Sequence, residues 1–411
     1  MVDDTLLESG NQKIEWARNH MPVLSIIRDG FASEKPLKGC RIAMALHVEA
    51  KTAVLVETLA SGGAEIAITG CNPLSTQDDV AAALDTRDNV SCYAKNDVSK
   101  DEYYEAIDRV LDIEPNIIVD DGADIIHKIH TERQNLLPNV IGGCEETTTG
   151  VHRLMSMSEN NALKIPTIAV NDALTKFLFD NRYGTGQSTW DAINRTTNLL
   201  VAGKDVVVAG YGWCGKGVAM YAAGLGANVI VTEVNPVRAL EARMDGYRVM
   251  TMDEAAELGD IFVTTTGNVS VLTRDHFKLM KDGVILANSG HFNVEMNLEE
   301  LESMAHSIRK VKSNIKEYNL KTHRINVIAD QQTVNLAAGD GHPAEVMDMS
   351  FSNQALCVRH LVDNDLDIDV HAVPPEIDTY IAELKLKVLG IEIDELTTEQ
   401  EKYMREWEHG T

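Results

Sequence analysis

Residues Val201 to Glu233, VAGKDVVVAGYGWCGKGVAMYAAGLGANVIVTE, restrict the fold more than any other stretch. An apolar run, Val206 to Ala209, leads into Gly210-Tyr211-Gly212-Trp213-Cys214-Gly215. A helix-like segment follows, then a second apolar run, Val229 to Val231, and an acid, Glu233. Strand, glycine turn, helix, strand and acid in that order make a dinucleotide-binding unit. Gly210 permits the tight turn, Gly212 lets the backbone approach a pyrophosphate, and Gly215 lets the helix pack on the strand. The helix N-terminus offers unpaired N–H groups to the phosphates. Glu233 is placed to accept the ribose hydroxyls and would repel a 2′-phosphate, which favours NAD over NADP. A glycine triplet alone is weak; the flanking strands and the acid carry the assignment. Lys216 reads as a solvent-facing helix residue, since no GK[ST] closes a P-loop.

Upstream, strand and helix signals alternate. Residues 11–30 read as a helix that Pro22 kinks or divides. Arg41–Leu46, Glu65–Thr69 and Asn116–Val119 read as buried strands, with helices at 51–61, 74–84 and 101–111 between them. Polar residues recur just after strands: His47, Asn72, Asp121 and Glu146. The carboxyl ends of parallel strands are where open α/β sheets hold ligands, so the first 180 or so residues predict a second α/β domain with its own pocket. Lys176, Asp180 and Asn181 lie at helical spacing; the pattern slightly favours an exposed Lys176–Asp180 pair over two groups aimed into a cleft. Downstream, 260–268 reads as a strand ending in a turn and strands are expected at 284–287 and 324–329, with Thr265, Thr266, Gly267 and Asn288 near the nicotinamide side. A helix is expected from Ala344, and the acidic segment 361–379 reads as solvated surface.

The 411 residues suffice for two or three domains, and 63 acidic against 37 basic residues give a net charge of -26. That charge argues against nucleic-acid or anionic-membrane partners. Six cysteines form no CxxC pair, the N-terminus carries no signal peptide and no apolar run is long enough to span a bilayer. A cytoplasmic protein in a reducing compartment is therefore expected. No metal-ligand spacing, GxSxG elbow or redox CxxC emerges.

HVEAKTAVLVETL, GCNPLSTQDDVAAAL, VDDGADI, GCEETTTGVHRL, VNDALTKFLFDN, VVAGYGWCGKG, NSGHFNVE and VNLAAGDGHPAEVMDMSF together resemble the S-adenosylhomocysteine hydrolase family over nearly the whole length. The resemblance implies a discontinuous substrate-binding α/β domain (1–181 and 341–379), an inserted Rossmann-type NAD-binding domain (182–340) and a C-terminal oligomerisation segment (380–411). It implies a homotetramer that keeps NAD bound between turnovers. Position by position, Asp121, Glu146, Lys176, Asp180 and Asn181 match the family's substrate or catalytic residues. His47 matches the histidine near the ribose; His291 and His342 match those flanking the active site and its channel. Thr147, Thr148, Thr149, Gly210, Gly212, Gly215, Glu233, Asn288 and Asn335 match cofactor positions.

The implied reaction is hydrolysis of a nucleosidyl-L-homocysteine. Oxidation at the 3′ carbon acidifies the C4′ proton, homocysteine leaves from C5′, water adds and the ketone is reduced again, so NAD is regenerated. Lys176 is expected to take the 3′-hydroxyl proton, Glu146 to hold the ribose hydroxyls, and Asp121 with His47 to move protons at C4′ and C5′.

Three departures from the family pattern matter. The common HMTxETA reads His47-Val48-Glu49-Ala50-Lys51-Thr52-Ala53 here, so Lys51 replaces a glutamate associated with the purine amino group. An ammonium only donates hydrogen bonds, which suits a 6-oxo purine and suggests S-inosylhomocysteine, with Thr52 beside it. The alternative is that Lys51 pairs with Glu49 or Glu57 and adenine is read by backbone groups. The chain also ends at Thr411, short of the tail by which many members reach a neighbour's NAD; Arg238 offers positive charge near the adenosine end instead. Finally, Thr185 stands where many members carry a cysteine. Two rival classes remain, a 2-hydroxyacid dehydrogenase and a non-enzymatic NAD-binding regulator. The first would accumulate NADH, and the second would be expected to have lost Lys176, Asp180, Asp121 or Glu146.

Overall fold

The structure is a computed structural model that describes residues 4–407. The first expected helix is two: Asp4–Asn19 and Pro22–Glu34, with Pro22 in the first turn of the second, where its missing N–H costs nothing. Six parallel strands follow: β1 (Arg41–Ala45), β2 (Glu65–Thr69), β3 (Val90–Cys92), β4 (Ile117–Asp120), β5 (Gly142–Glu145) and β6 (Thr167–Ala169). The chain then leaves this sheet and builds a second one. Its strands are β7 (Asp205–Ala209), β8 (Asn228–Thr232), β9 (Arg248–Val249), β10 (Ile261–Thr264), β11 (Val284–Asn288), β12 (Ser307–Lys312), β13 (Ile315–Asn319) and β14 (Arg324–Ile328).

After the 20-residue helix Ala344–Asp363 the chain adds β15 (Val370–Ala372) to the edge of the first sheet, parallel to β6. This corrects the reading of 361–379 as mere solvated surface: its acids flank a short ladder that closes the sheet.

Both strand orders reverse in the middle. The first sheet runs β15-β6-β5-β4-β1-β2-β3 and the second β12-β13-β14-β11-β10-β7-β8-β9. Crossovers leave opposite faces at β1/β4 and at β7/β10, so a crevice opens beyond the carboxyl ends of these pairs. The strands β1, β4, β7 and β10 read as near-continuous Val, Ile and Ala because helices cover both faces. Each large aliphatic side chain there is fully buried and contributes about 1.5–3 kcal/mol relative to exposure.

Two features lock the returning segment to the front of the molecule. Asp348, fully buried on the long helix, accepts from the N–H groups of Val23 and Leu24, 3.2 and 2.9 Å away, and so caps Pro22–Glu34. Lys385 reaches the same carboxylate at 2.9 Å. The antiparallel hairpin β12–β13 was not foreseen; β12 is exposed along its whole length and offers no apolar alternation. Glu408-His409-Gly410-Thr411, read as the end of the C-terminal segment, lie outside the described residues.

Candidate active site

The two crevices face each other across one cavity of about 800 Å³. Its floor comes from the first sheet. His47 follows β1, Asp121 follows β4 and Glu146 follows β5; all three line the cavity. The opposite wall carries Gly210 and Gly212 after β7, Thr265-Thr266-Gly267 after β10, and His291 beyond β11.

Lys176, Asp180 and Asn181 stand between the sheets on a short helix, Leu174–Phe177, and the wide helical turn Asp180–Gly184. Lys176 Nζ lies 2.6 Å from Asp180 Oδ2, 2.9 Å from Asn181 Oδ1, 3.3 Å from Asn171 Oδ1 and 3.7 Å from Glu146 Oε1. The exposed-pair reading favoured by the pattern is therefore corrected: both side chains are only 5% exposed. Burial opposes the Lys176 charge, but Asp180 and Glu146 outweigh it and hold the ammonium above the usual lysine value. Burial would raise Asp180, but His342 and Lys176 hold it well below the usual carboxylate range. His342 Nδ1 contacts Asp180 Oδ1 directly, and its Nε2 meets Thr185 Oγ1 at 3.3 Å.

Glu146 is held from behind by Ser350 Oγ and by Gln354 Nε2, the latter at 2.6 Å. Burial pushes its carboxyl up to about 7, with Lys176 pulling the other way. Asp121 Oδ2 lies 3.4 Å from His47 Nε2, and Asp121 Oδ1 lies 3.7 Å from His291 Nδ1. Histidines from both sheets thus meet one carboxylate. Burial lowers His47 to about 4 against the pull of Asp121, so its ring is neutral at neutral pH. Ser75 Oγ at 2.7 Å and Cys71 Sγ at 3.3 Å fix the His47 ring through Nδ1. A ring nitrogen of His47, a ring nitrogen of His291 and a carboxylate oxygen of Asp121 all lie within 4.8 Å of one another, so the three groups cluster at one point of the cavity.

The cofactor side fits a dinucleotide. Gly210 has φ +94°, which a side chain would strain, and a Cβ on Gly215 would stand 2.0 Å from the Gly210 carbonyl oxygen. A Cβ on Gly212 would meet only Arg238, at 3.8 Å, so that backbone is open to a ligand. Glu233 and Arg238 line the same end, and Glu233 Oε2 accepts from Tyr211 N at 2.7 Å. Asn335 is buried on the cavity wall; its Nδ2 donates to Ser188 while Oδ1 has no partner, an acceptor waiting for a donor. Thr147, Thr148 and Thr149 open the helix that faces this end.

Thr52, Asn181, His291 and His342 also reach the wall, but three expected residues do not. Gly215 packs behind the turn. Asn288 is fully buried and bonds Thr264 Oγ1 and the carbonyls of Gly290, Phe292 and Gln331, shaping the loop that carries His291. Lys51 sits just behind the wall, 2.6 Å from Glu49 Oε2 and 2.7 Å from the Asp340 carbonyl. Lys216 is not solvent-facing: it pairs with Glu241 at 2.6 Å and lies over the Trp213 ring.

Asn171, Ser350, Gln354 and Cys71 were missed. Ser350 and Gln354 are polar residues four apart on a helix, facing inward, and that spacing was the available signal. Cys71 follows β2 just as His47 follows β1.

A pair of doubly wound sheets meeting over a glycine turn and a buried lysine–carboxylate cluster defines a dinucleotide-binding α/β protein of two domains. Residues 1–139 match the sequence model described as S-adenosyl-L-homocysteine hydrolase, and 181–341 match the one for that hydrolase's NAD binding domain. The S-inosyl-L-homocysteine hydrolase of Methanosarcina mazei is 70% identical over all of both chains. The protein of that name from Methanocaldococcus jannaschii is 59% identical over 100% of this chain and 99% of its own. The adenosylhomocysteinase of Archaeoglobus fulgidus is 55% identical over 98% of this chain and 100% of its own. The chain belongs to the S-adenosyl-L-homocysteine hydrolase family. A dipicolinate synthase polypeptide from Bacillus halodurans superposes with a TM-score of 0.50 at 14% identity, over 80% of this chain and 100% of that one, and shares the fold alone.

Proposed function

We propose that this chain hydrolyses S-inosyl-L-homocysteine to inosine and L-homocysteine. The reaction class, NAD-dependent hydrolysis of a nucleosidyl-L-homocysteine thioether, follows from family membership and the NAD-binding segment. The purine is the finer step, and Lys51 carries it. Its ammonium stands just behind the cavity wall, paired with Glu49, which lines the cavity, and with the Asp340 carbonyl, so it would turn from one of these acceptors to meet a purine. Hypoxanthine would bring an acceptor, O6, to a group that can only donate. Adenine would bring its amino group, setting a donor against a donor. Relatives at 70% and 59% identity carry the inosyl name, and one at 55% carries the adenosyl name.

NAD, when bound, supplies the hydride acceptor and donor for the ribose 3′ carbon. The chain's own residues do the rest. Glu146, backed by Ser350 and Gln354, accepts from the ribose hydroxyls. Lys176, positioned by Asp180 and Asn181, holds the 3′-hydroxyl and, in its deprotonated form, takes the hydroxyl's proton. Asp121, with His47 and His291, moves protons at C4′ and at the leaving sulfur. Closure of the two sheets over the substrate keeps water out until homocysteine has left.

The same reading includes the division of the chain at 182 and 340, a homotetramer and a cytoplasmic location. Oligomer contact is supported by exposed apolar side chains near the C-terminus: Leu389 61%, Ile393 69%, Met404 74% and Trp407 90%. Among the described residues no helix is long and apolar enough to cross a membrane.

The test compares kcat/KM for the inosyl and adenosyl thioethers in the wild type and in Lys51→Glu. The inosyl form should be preferred, and the substitution should move preference toward adenosyl. Equal or better use of the adenosyl form by the wild type would sink the purine assignment.

A further inference from the structure

Two carboxyls that take no part in the chemistry above lie directly beneath it. Asp120 and Glu145 end the neighbouring strands β4 and β5 and sit opposite each other in register. Both are fully buried. Asp120 accepts from Asp121 N at 3.1 Å and from Ile126 N at 3.0 Å. Glu145 gathers two donors on a single oxygen: Oε1 accepts from Gly122 N at 2.8 Å and from Thr147 N at 3.0 Å. Gly122 directly follows Asp121, and Thr147 directly follows Glu146.

One oxygen atom therefore ties together the two loops that present Asp121 and Glu146 to the cavity. Gly122 is also where the second sheet lands, for a Cβ there would stand 2.6 Å from His291 Nε2. Helix Thr148–Glu159 closes over the carboxyl through Gly150, whose Cβ would stand 2.1 Å from Glu145 Cδ. The other oxygen, Glu145 Oε2, has no partner.

We propose that Glu145 is a positioning residue whose buried Oε1 sets the spacing between Asp121 and Glu146 and the seat for His291. Burial beside Asp120 and Asp121 pushes its carboxyl well above the usual range. A glutamine presents the same oxygen at the same reach. An aspartate, one methylene shorter, cannot meet both N–H groups.

The test uses the NAD-loaded enzyme and measures kcat, KM, retained NAD and thermal midpoint with both thioethers, so that it does not depend on which purine is preferred. Glu145→Gln should keep kcat within about threefold. Glu145→Asp should lower kcat by about tenfold or more while KM and bound NAD stay close to wild type, because misplacement of reacting groups by a fraction of an ångström is costly. Gly150→Ala pushes on the same carboxyl from the other side and should repeat the kcat loss; this variant decides the matter if Glu145→Asp does not fold. Wild-type kcat in Glu145→Asp or Gly150→Ala, or equal losses in the Gln and Asp variants, would overturn the proposal.

Discussion

Glu146 shows how burial sets a working ionisation. Its carboxyl, pushed up to about 7, stands beside a lysine held as an ammonium. In the proposed reaction only the ionised form accepts from the ribose hydroxyls with both oxygens. The kcat/KM for the thioether should therefore rise with pH through an inflection near 7, and Glu146→Gln should lose that inflection along with much of the activity. His47 gives a stability prediction with a definite sign. Its native pKa of about 4 lies below the ordinary 6.5. As pH falls below 6.5 the unfolded chain takes a proton that the native chain refuses until about pH 4, so acid favours unfolding across that window. The thermal midpoint of His47→Asn should fall less than that of the wild type between those pH values.

At the scale of elements, the glycine turn separates packing from binding. Gly215→Ala drives a methyl into the Gly210 carbonyl and should cost about 1–3 kcal/mol of stability, read from denaturant unfolding. Gly212→Ala has open space around it. It should leave unfolding unchanged yet weaken NAD about tenfold, roughly 1.4 kcal/mol, read by titration of the apoprotein.

These same elements were the legible ones. The β7 turn, the strand ends bearing His47, Asp121 and Glu146, and the break at Pro22 are local signals of spacing and residue type. Tertiary context hid the others. Lys176 and Asp180 look like a surface pair until a second sheet covers them. β15 is three residues whose only ladder is with β6, some 200 positions earlier. β12 owes its pairing to β13 and shows no apolar period. Ser350, Gln354 and Glu145 act on the site by supporting residues that touch the cavity, and no motif records such support.

At the scale of the molecule, two sheets with separate cores share one cavity, and the groups that close it come from both. His291 reaches Asp121 from the second sheet, and Asn72 Nδ2 meets Gln332 Oε1 across the same divide at 3.1 Å. In the proposed reaction the cofactor is held chiefly by the second sheet and the nucleoside by the first. The most direct measurement counts homocysteine released per bound NAD in the purified holoenzyme while NADH is followed by absorbance. Many turnovers per NAD with no net NADH, and no turnover after the dinucleotide is stripped, are predicted. One NADH formed for each homocysteine, or undiminished cleavage by the stripped protein, would contradict the account.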